Sequence, residues 1–182
     1  MGDLDGNAAL VLERTREAAA AGAQLVAFPE MTLTGYPSED LALRASFRRA
    51  AWDAAADIAA RLDAEGLGAV TVVLGTVGTS GAPRGAGAAE RAAAGSPAGL
   101  PPNRAVGRRG GAGQGAAGRD PLPNYGVFDE FRIFAPGETT TVVEVEGRRV
   151  GIAICEDIWQ DGGPVAEKAT LDEEGYGLDL VL

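Results

Sequence analysis

The single thiol of the chain is the first candidate for chemistry. Cys155 is the only cysteine, and it follows the apolar run 150–154 and precedes Glu156 and Asp157. A thiol at the end of a strand is well placed as a nucleophile in an α/β fold, because backbone N–H groups of the next turn can face a developing oxyanion. A lone cysteine is also common in a buried core, and this segment alone leaves both interpretations open.

The base that would activate this thiol cannot be histidine, because the chain contains none. This excludes a Cys-His or Ser-His-Asp mechanism and any histidine-ligated metal site within these 182 residues. The base must be a carboxylate, an amine or a tyrosine. The one lysine, Lys168, lies thirteen positions beyond Cys155, and we expect it to be a solvated surface residue.

Two further segments carry polar residues that could act with the thiol. Glu30 follows a short apolar run, so a carboxylate stands where a strand is expected to end. Residues 122–132 contain Tyr125 and Glu130 and precede the sequence Phe-Ala-Pro-Gly at 134–137. Taken singly, each has a structural alternative: a capping carboxylate for Glu30, a solvated acid for Glu130 and a core aromatic for Tyr125.

The elements that must position these residues alternate between helix and strand. Helical spacing of apolar residues, with Asp3 or Asp5 as the cap, predicts a first helix, and an alanine-rich segment predicts a second. Short apolar runs predict strands, the last two joined as a hairpin. The order indicates an α/β protein with a mixed sheet. The predicted helices are 5–21 and 44–64, and the predicted strands are 24–28, 68–77, 139–146 and 149–154.

Residues 80–120 depart from this pattern. They contain 11 Gly and 12 Ala among 41 residues, and their only large aliphatic side chains are Leu100 and Val106. Such a segment buries too little apolar surface to offset the entropy of ordering it, so we expect a low-complexity, poorly ordered insertion. A flexible insertion and a stretch of codons read out of frame both explain this composition, and the abrupt boundaries favour the second.

The bulk properties exclude several classes of protein. The formal charge of −10 argues against nucleic-acid binding, since phosphates demand a basic surface. No apolar run is long enough to span a bilayer, and no signal-peptide pattern opens the chain. One cysteine provides no disulfide framework, which favours a reducing, cytoplasmic setting.

The three segments together resemble the nitrilase, or carbon–nitrogen hydrolase, superfamily. More narrowly, residues 122–137 and 151–159 (GIAICEDIW) resemble the glutaminase domains of glutamine-dependent NAD⁺ synthetases. The resemblance covers residues 1–79 and 121–182. It implies an αββα sandwich of the nitrilase type. Family members have a strand before residue 1 and further strands after residue 182, so we expect a partial glutaminase domain that is incomplete at both ends.

The resemblance also implies roles for individual residues. Cys155 would attack the side-chain amide of glutamine to give a thioester, and Glu30 would be the general base. Glu130 would help to position the reacting groups, and Tyr125 would contact glutamine. The family's catalytic lysine corresponds to Arg119, whose planar fork cannot replace a compact ammonium. Loss of one oxyanion donor costs about 10² to 10³ in rate, so we expect impaired activity.

The same resemblance limits what this chain can bind. ATP would belong to a synthetase domain that is absent here, so no cofactor or metal is expected, and homo-oligomers are expected from the parent family. Two other functions remain open. One is a different nitrilase-type amidase, against which Tyr125 argues, and the other is a degenerate, non-catalytic remnant or oligomerisation module.

Overall fold

The first helix, α1 (Leu4–Ala20), begins where the sequence predicts a cap. The Asp3 carboxylate accepts a hydrogen bond of 2.9 Å from the Gly6 N–H, which satisfies a backbone donor of the first turn. The buried side chains recur at helical spacing and face the core of the protein. They are Ala8, Val11, Leu12 and Thr15. The observed bounds differ by one residue at each end from the prediction of 5–21.

The computed structural model describes residues 1–78, 134 and 142–155, and the backbone of residues 103–109, 112–118, 141 and 180–181. Strand β1 (Leu25–Ala27) is followed by a single turn of 3₁₀-helix (Glu39–Leu41), by helix α2 (Ala45–Ala64) and by strand β2 (Thr71–Val77). β1 and β2 pair in parallel, with Val26 opposite Val72, and α2 lies in the crossover between them. The predicted strands 24–28 and 68–77 and helix 44–64 are confirmed, with shorter strands than expected.

Two further strands complete the first sheet. β3 (Asn103–Arg109) pairs antiparallel with β2, and β4 (Ala112–Gly118) pairs antiparallel with β3, so the strand order is β1-β2-β3-β4. These strands lie within residues 80–120, where the sequence analysis found no strand pattern. Backbone hydrogen bonds define a strand whatever its side chains, so a Gly- and Ala-rich segment can extend a sheet that a neighbouring strand has begun. The rest of residues 80–120 lies outside the described part of the chain.

The second sheet contains the predicted hairpin. β5 (Thr141–Val145) and β6 (Arg148–Ile152) pair antiparallel, and β7 (Leu180–Val181) pairs in parallel with β6. The turn between β5 and β6 has two residues, Glu146 and Gly147, which both have positive φ angles, of 49° and 76°. Positive φ at both central residues is typical of the tight turns that match strand twist.

The two sheets and the helices form layers around β2. Val72 and Leu74 pack with α1 and α2, whereas Val73, on the opposite face of the strand, packs with the second sheet. The sheet-to-sheet core consists of Val73 with Val143, Val145, Val150, Ile152 and Ile154. The described layers are therefore helix, sheet and sheet, which confirms an α/β fold and corresponds to three of the four layers of the expected αββα sandwich.

An ion pair on the outer surface joins the two helices. The Arg16 guanidinium donates two hydrogen bonds of 2.6 Å to the Glu65 carboxylate, which lowers the pKa of Glu65 and raises the pKa of Arg16. Both side chains are partly exposed, so this contact adds little to stability. Neither α1 nor α2, the helices of the described region, combines the length and the apolar character needed to cross a membrane.

Candidate functional site

Glu30 lies in a tight turn that directly follows β1. The Phe28 N–H donates to the Val73 carbonyl at 2.9 Å, so the chain stays paired with β2 just beyond the end of β1. The Pro29 carbonyl then accepts bonds from the N–H and Oγ1 of Thr32, at 3.2 and 2.6 Å. Met31 adopts a left-handed backbone, with φ at 59°. Glu30 is half-buried within this network, and its backbone is held by bonds on both sides.

The turn rests directly on β2 at Gly75. The Leu33 N–H donates to the Gly75 carbonyl at 3.2 Å. A Cβ atom at Gly75 would lie 2.5 Å from the Met31 nitrogen, 2.7 Å from the Pro29 oxygen and 2.9 Å from the Glu30 carbonyl carbon. These distances are shorter than any ordinary carbon contact, so only glycine allows the Glu30 backbone to approach the strand this closely.

The N-terminal segment holds the other side of the same turn. The Asn7 side-chain Nδ2 donates to the Leu33 carbonyl at 2.9 Å, and the Gly2 N–H donates to the Thr34 carbonyl at 2.8 Å. The Leu33 residue therefore bonds to β2 through its N–H and to α1 through its carbonyl. The turn is anchored to two different layers of the fold.

Cys155 is exposed and has an unusual backbone conformation. It lies three residues beyond the end of β6, with φ at 53°. A left-handed conformation costs about 1–2 kcal/mol for a residue with a side chain, and such conformations cluster at functional sites. The interpretation of Cys155 as a buried core cysteine is wrong, since its side chain is accessible, as a reacting thiol must be.

The segments that carry Glu30 and Cys155 both lie on one face of β2. Ile154, next to Cys155, belongs to the buried cluster that contains Val73, and the Glu30 turn covers Gly75. Val73 and Gly75 are two positions apart on the same face, about 6.6 Å at the usual rise of a strand. The fold therefore brings together two segments that are 125 positions apart in the sequence.

The segment that follows Glu130 also reaches this region. Phe134 is 2% exposed and packs in a buried cluster with Met31, the residue after Glu30, and with Ala42 and Val77. This apolar cluster lies beside the Glu30 turn and limits the access of water to that side of it. All three sequence segments singled out above thus have at least one residue near the face of β2 that carries Val73, Gly75 and Val77.

Several residues considered in the sequence analysis lie outside the described residues. They include Arg119, Tyr125, Glu130 and Lys168, and what the sequence analysis expects of them remains a prediction. Within the ranges that the structure does describe, no group of three or more Asp, Glu, Cys or His side chains is placed to hold a metal ion.

The contacts of Asn7 and Gly75 with the Glu30 turn were not found from the sequence. One signal was available for Gly75, because a glycine inside a strand that is otherwise made of Thr, Val and Leu marks a close approach of another backbone. Asn7 gave no comparable signal, because its partner carbonyl lies 26 positions away in the chain.

The described region has a helix layer packed on two sheets, a glutamate after one strand and a strained, exposed cysteine after another. This is the arrangement that the sequence resemblance to the nitrilase superfamily implies. Residues 1–76 match the carbon–nitrogen hydrolase family model. An amidase of the nitrilase superfamily from Nesterenkonia sp. AN1 shares the fold, with a TM-score of 0.70 and 21% identity over 99% of this chain and 58% of that one.

More similar relatives belong to one kind of enzyme within the superfamily. The glutamine-dependent NAD(+) synthetase of Thermotoga maritima is 38% identical over 181 residues, which is 100% of this chain and 27% of the relative. The structure of the glutamine-dependent NAD⁺ synthetase of Acinetobacter baumannii has a TM-score of 0.75 and 29% identity, and covers 100% of this chain and 29% of that one. The chain thus spans about a quarter of the length of the synthetases that it matches.

Proposed function

We propose that this chain carries the glutamine-hydrolysing site of a glutamine-dependent NAD⁺ synthetase, with Cys155 as nucleophile and Glu30 as general base. The observation that carries the proposal is an exposed thiol, held in a left-handed conformation after β6, beside the face of β2 on which the Glu30 turn is packed. The similarity to the synthetases over the whole length of the chain supports glutamine as the substrate. The amidase shares the fold alone, so no other amide is favoured.

The proposed reaction has two stages. In the first, the Glu30 carboxylate takes the thiol proton while the Cys155 sulfur forms a bond to the amide carbon of glutamine. The carbon–nitrogen bond then breaks, the proton passes from Glu30 to the leaving nitrogen, and ammonia departs from the thioester. In the second, Glu30 takes a proton from water, whose oxygen attacks the thioester, and glutamate and the thiol are regenerated.

Three further residues have proposed roles in this reaction. Glu130 positions the reacting groups and Tyr125 contacts the glutamine substrate. Arg119 replaces the compact ammonium that would stabilise the oxyanion, and this replacement lowers the rate by about 10² to 10³. In the proposed parent enzyme, a synthetase site in a separate domain would use ATP and would consume the ammonia.

Ammonia release from glutamine by the purified chain tests this proposal. We expect slow release that disappears in Cys155→Ala and in Glu30→Gln. Arg119→Lys, which restores the ammonium, is expected to raise the rate by tenfold or more, whereas Arg148→Lys on the exposed hairpin is a control that should leave it unchanged.

Several outcomes would contradict the proposal. Release that persists in Cys155→Ala would exclude the thiol as nucleophile. Faster hydrolysis of short aliphatic amides than of glutamine would favour a general amidase instead. Equal rates for the native chain and Arg119→Lys would show that Arg119 is not at the family's lysine position.

A further inference from the structure

Within the turn that carries Glu30, Leu33 forms hydrogen bonds to two different layers of the fold, the sheet and the helices. The Leu33 N–H donates to Gly75 of β2 at 3.2 Å, and the Leu33 carbonyl accepts from Asn7 Nδ2 of α1 at 2.9 Å. The Leu33 side chain is fully buried in the core between the helices and β2. Movement of this residue would therefore disturb both hydrogen bonds and its packing.

Asn7 is an unusual choice for its position in the sequence. It lies in the first half of α1, a helix rich in alanine, and asparagine is a poorer helix former than alanine. It is half-buried, and its side chain points out of the helix to bond a residue 26 positions away. Its contribution is thus a tertiary hydrogen bond and not helix stability.

We propose that Asn7 is a positioning residue, whose side-chain amide holds the Glu30 turn against β2 and thereby sets the location of the Glu30 carboxylate. The inference rests on the proposed function, because the location of the Glu30 carboxylate matters for catalysis only if Glu30 is the base. The hydrogen bond from Asn7 to Leu33 is observed independently of that function. Without the amide, the Leu33 carbonyl loses its donor on the α1 side. The turn is then held by the bond from Leu33 to Gly75 and by the bond from Gly2 to Thr34, and Glu30 samples positions farther from the reacting thiol.

Two substitutions separate this role from a general effect on stability. Asn7→Leu keeps the size of the side chain and removes the donor. Thr15→Val is the matched control, because the Thr15 hydroxyl donates a buried bond of 2.8 Å to the Val11 carbonyl on the same helix, away from the Glu30 turn. Each variant loses one hydrogen bond from a side chain to a backbone carbonyl.

The first measurement is amide hydrogen exchange, which needs no catalytic activity. In Asn7→Leu we expect the Leu33 amide to exchange about tenfold faster, the factor that one partly buried hydrogen bond contributes, while the Phe28 amide is unchanged. In Thr15→Val both amides should exchange as in the native chain. Unchanged exchange at Leu33 in Asn7→Leu would overturn the proposal.

The second measurement is the labelling of Cys155 by a diazoketone analogue of glutamine. In this reaction the diazo carbon gains a proton and the Cys155 sulfur displaces N₂ to form a carbon–sulfur bond. We expect Asn7→Leu to lower the maximal labelling rate about tenfold without changing the half-saturating concentration. Labelling by iodoacetamide, which needs no base at a defined position, should not change, and Asn7→Gln, which keeps the donor, should recover part of the rate.

Different experimental results would reject the proposed role of Glu30 as base and the proposed positioning role of Asn7. If Glu30→Gln leaves diazoketone labelling unchanged, the proposed role of Glu30 as base is wrong, and amide exchange at Leu33 still decides whether Asn7 holds the turn. If Asn7→Leu slows both reagents equally, the residue acts on the folding or exposure of Cys155, and its role in positioning is excluded.

Discussion

Replacing Gly75 with alanine should displace the Glu30 turn and slow the chemistry more than it lowers stability. The new Cβ would lie 2.5 Å from the Met31 nitrogen, with the Pro29 oxygen and the Glu30 carbonyl carbon also within 3 Å. All three are backbone atoms, so no side-chain rotation relieves the overlap. To reach an ordinary contact of about 3.4 Å, the turn must retreat by roughly 0.9 Å from β2.

The expected magnitudes follow from that displacement. Overpacking of this kind costs about 1–3 kcal/mol of unfolding free energy. A misplacement of about 1 Å at a reacting group costs on the order of 10² in rate. We therefore expect Gly75→Ala to remain folded in urea titrations, with a lower midpoint, and to lose about 10²-fold in diazoketone labelling of Cys155.

The control is an alanine at a glycine that contacts nothing. Gly66, after α2, has φ at 78°, and a Cβ atom there would meet no atom within 4 Å. Gly66→Ala pays the left-handed backbone cost of about 1–2 kcal/mol without touching the Glu30 turn, so its labelling rate should equal that of the native chain. If Gly75→Ala labels at the native rate, or if Gly66→Ala is slowed as strongly, the argument for Gly75 is refuted.

Three further substitutions test the fold around the site. Asp3→Ala should lower the unfolding free energy by about 1 kcal/mol, because the cap of α1 is lost, and an unchanged urea midpoint would contradict the capping role. Leu12→Ala should lower the unfolding free energy by about 3 kcal/mol, since Leu12 is fully buried. A decrease below about 1 kcal/mol would contradict this, because it would mean that the core repacks to fill the cavity. Glu65→Gln should lower the urea midpoint slightly at neutral pH and low salt, because the Arg16 guanidinium lowers the pKa of Glu65. The contribution of the ion pair to stability is present above the usual pKa of glutamate and is lost as the pH falls through the lowered pKa of Glu65. A difference in urea midpoint between the native chain and Glu65→Gln that persists in strong acid would therefore exclude the ion pair as its cause.

The sequence by itself determined the elements whose signals are local. A helix cap at Asp3 or Asp5, the helical spacing in α1 and the apolar runs of β2 and β6 all depend on residues within a few positions of one another. The structure then shows that Asp3 is the cap. The hairpin of β5 and β6 was found for the same reason, because its turn joins adjacent strands. The three segments that carry the superfamily resemblance were likewise visible in the sequence as continuous stretches.

Tertiary structure decided the features that depend on distant residues. β3 and β4 carry no apolar pattern, and their place in the sheet comes from backbone pairing with β2. The exposure of Cys155 and its left-handed backbone are seen only in the structure. The anchoring of Glu30 between Gly75 and Asn7 joins three segments that no local pattern relates. Local sequence specifies which residues can form a helix, a strand or a nucleophile, but only the packing of the layers determines which of them meet.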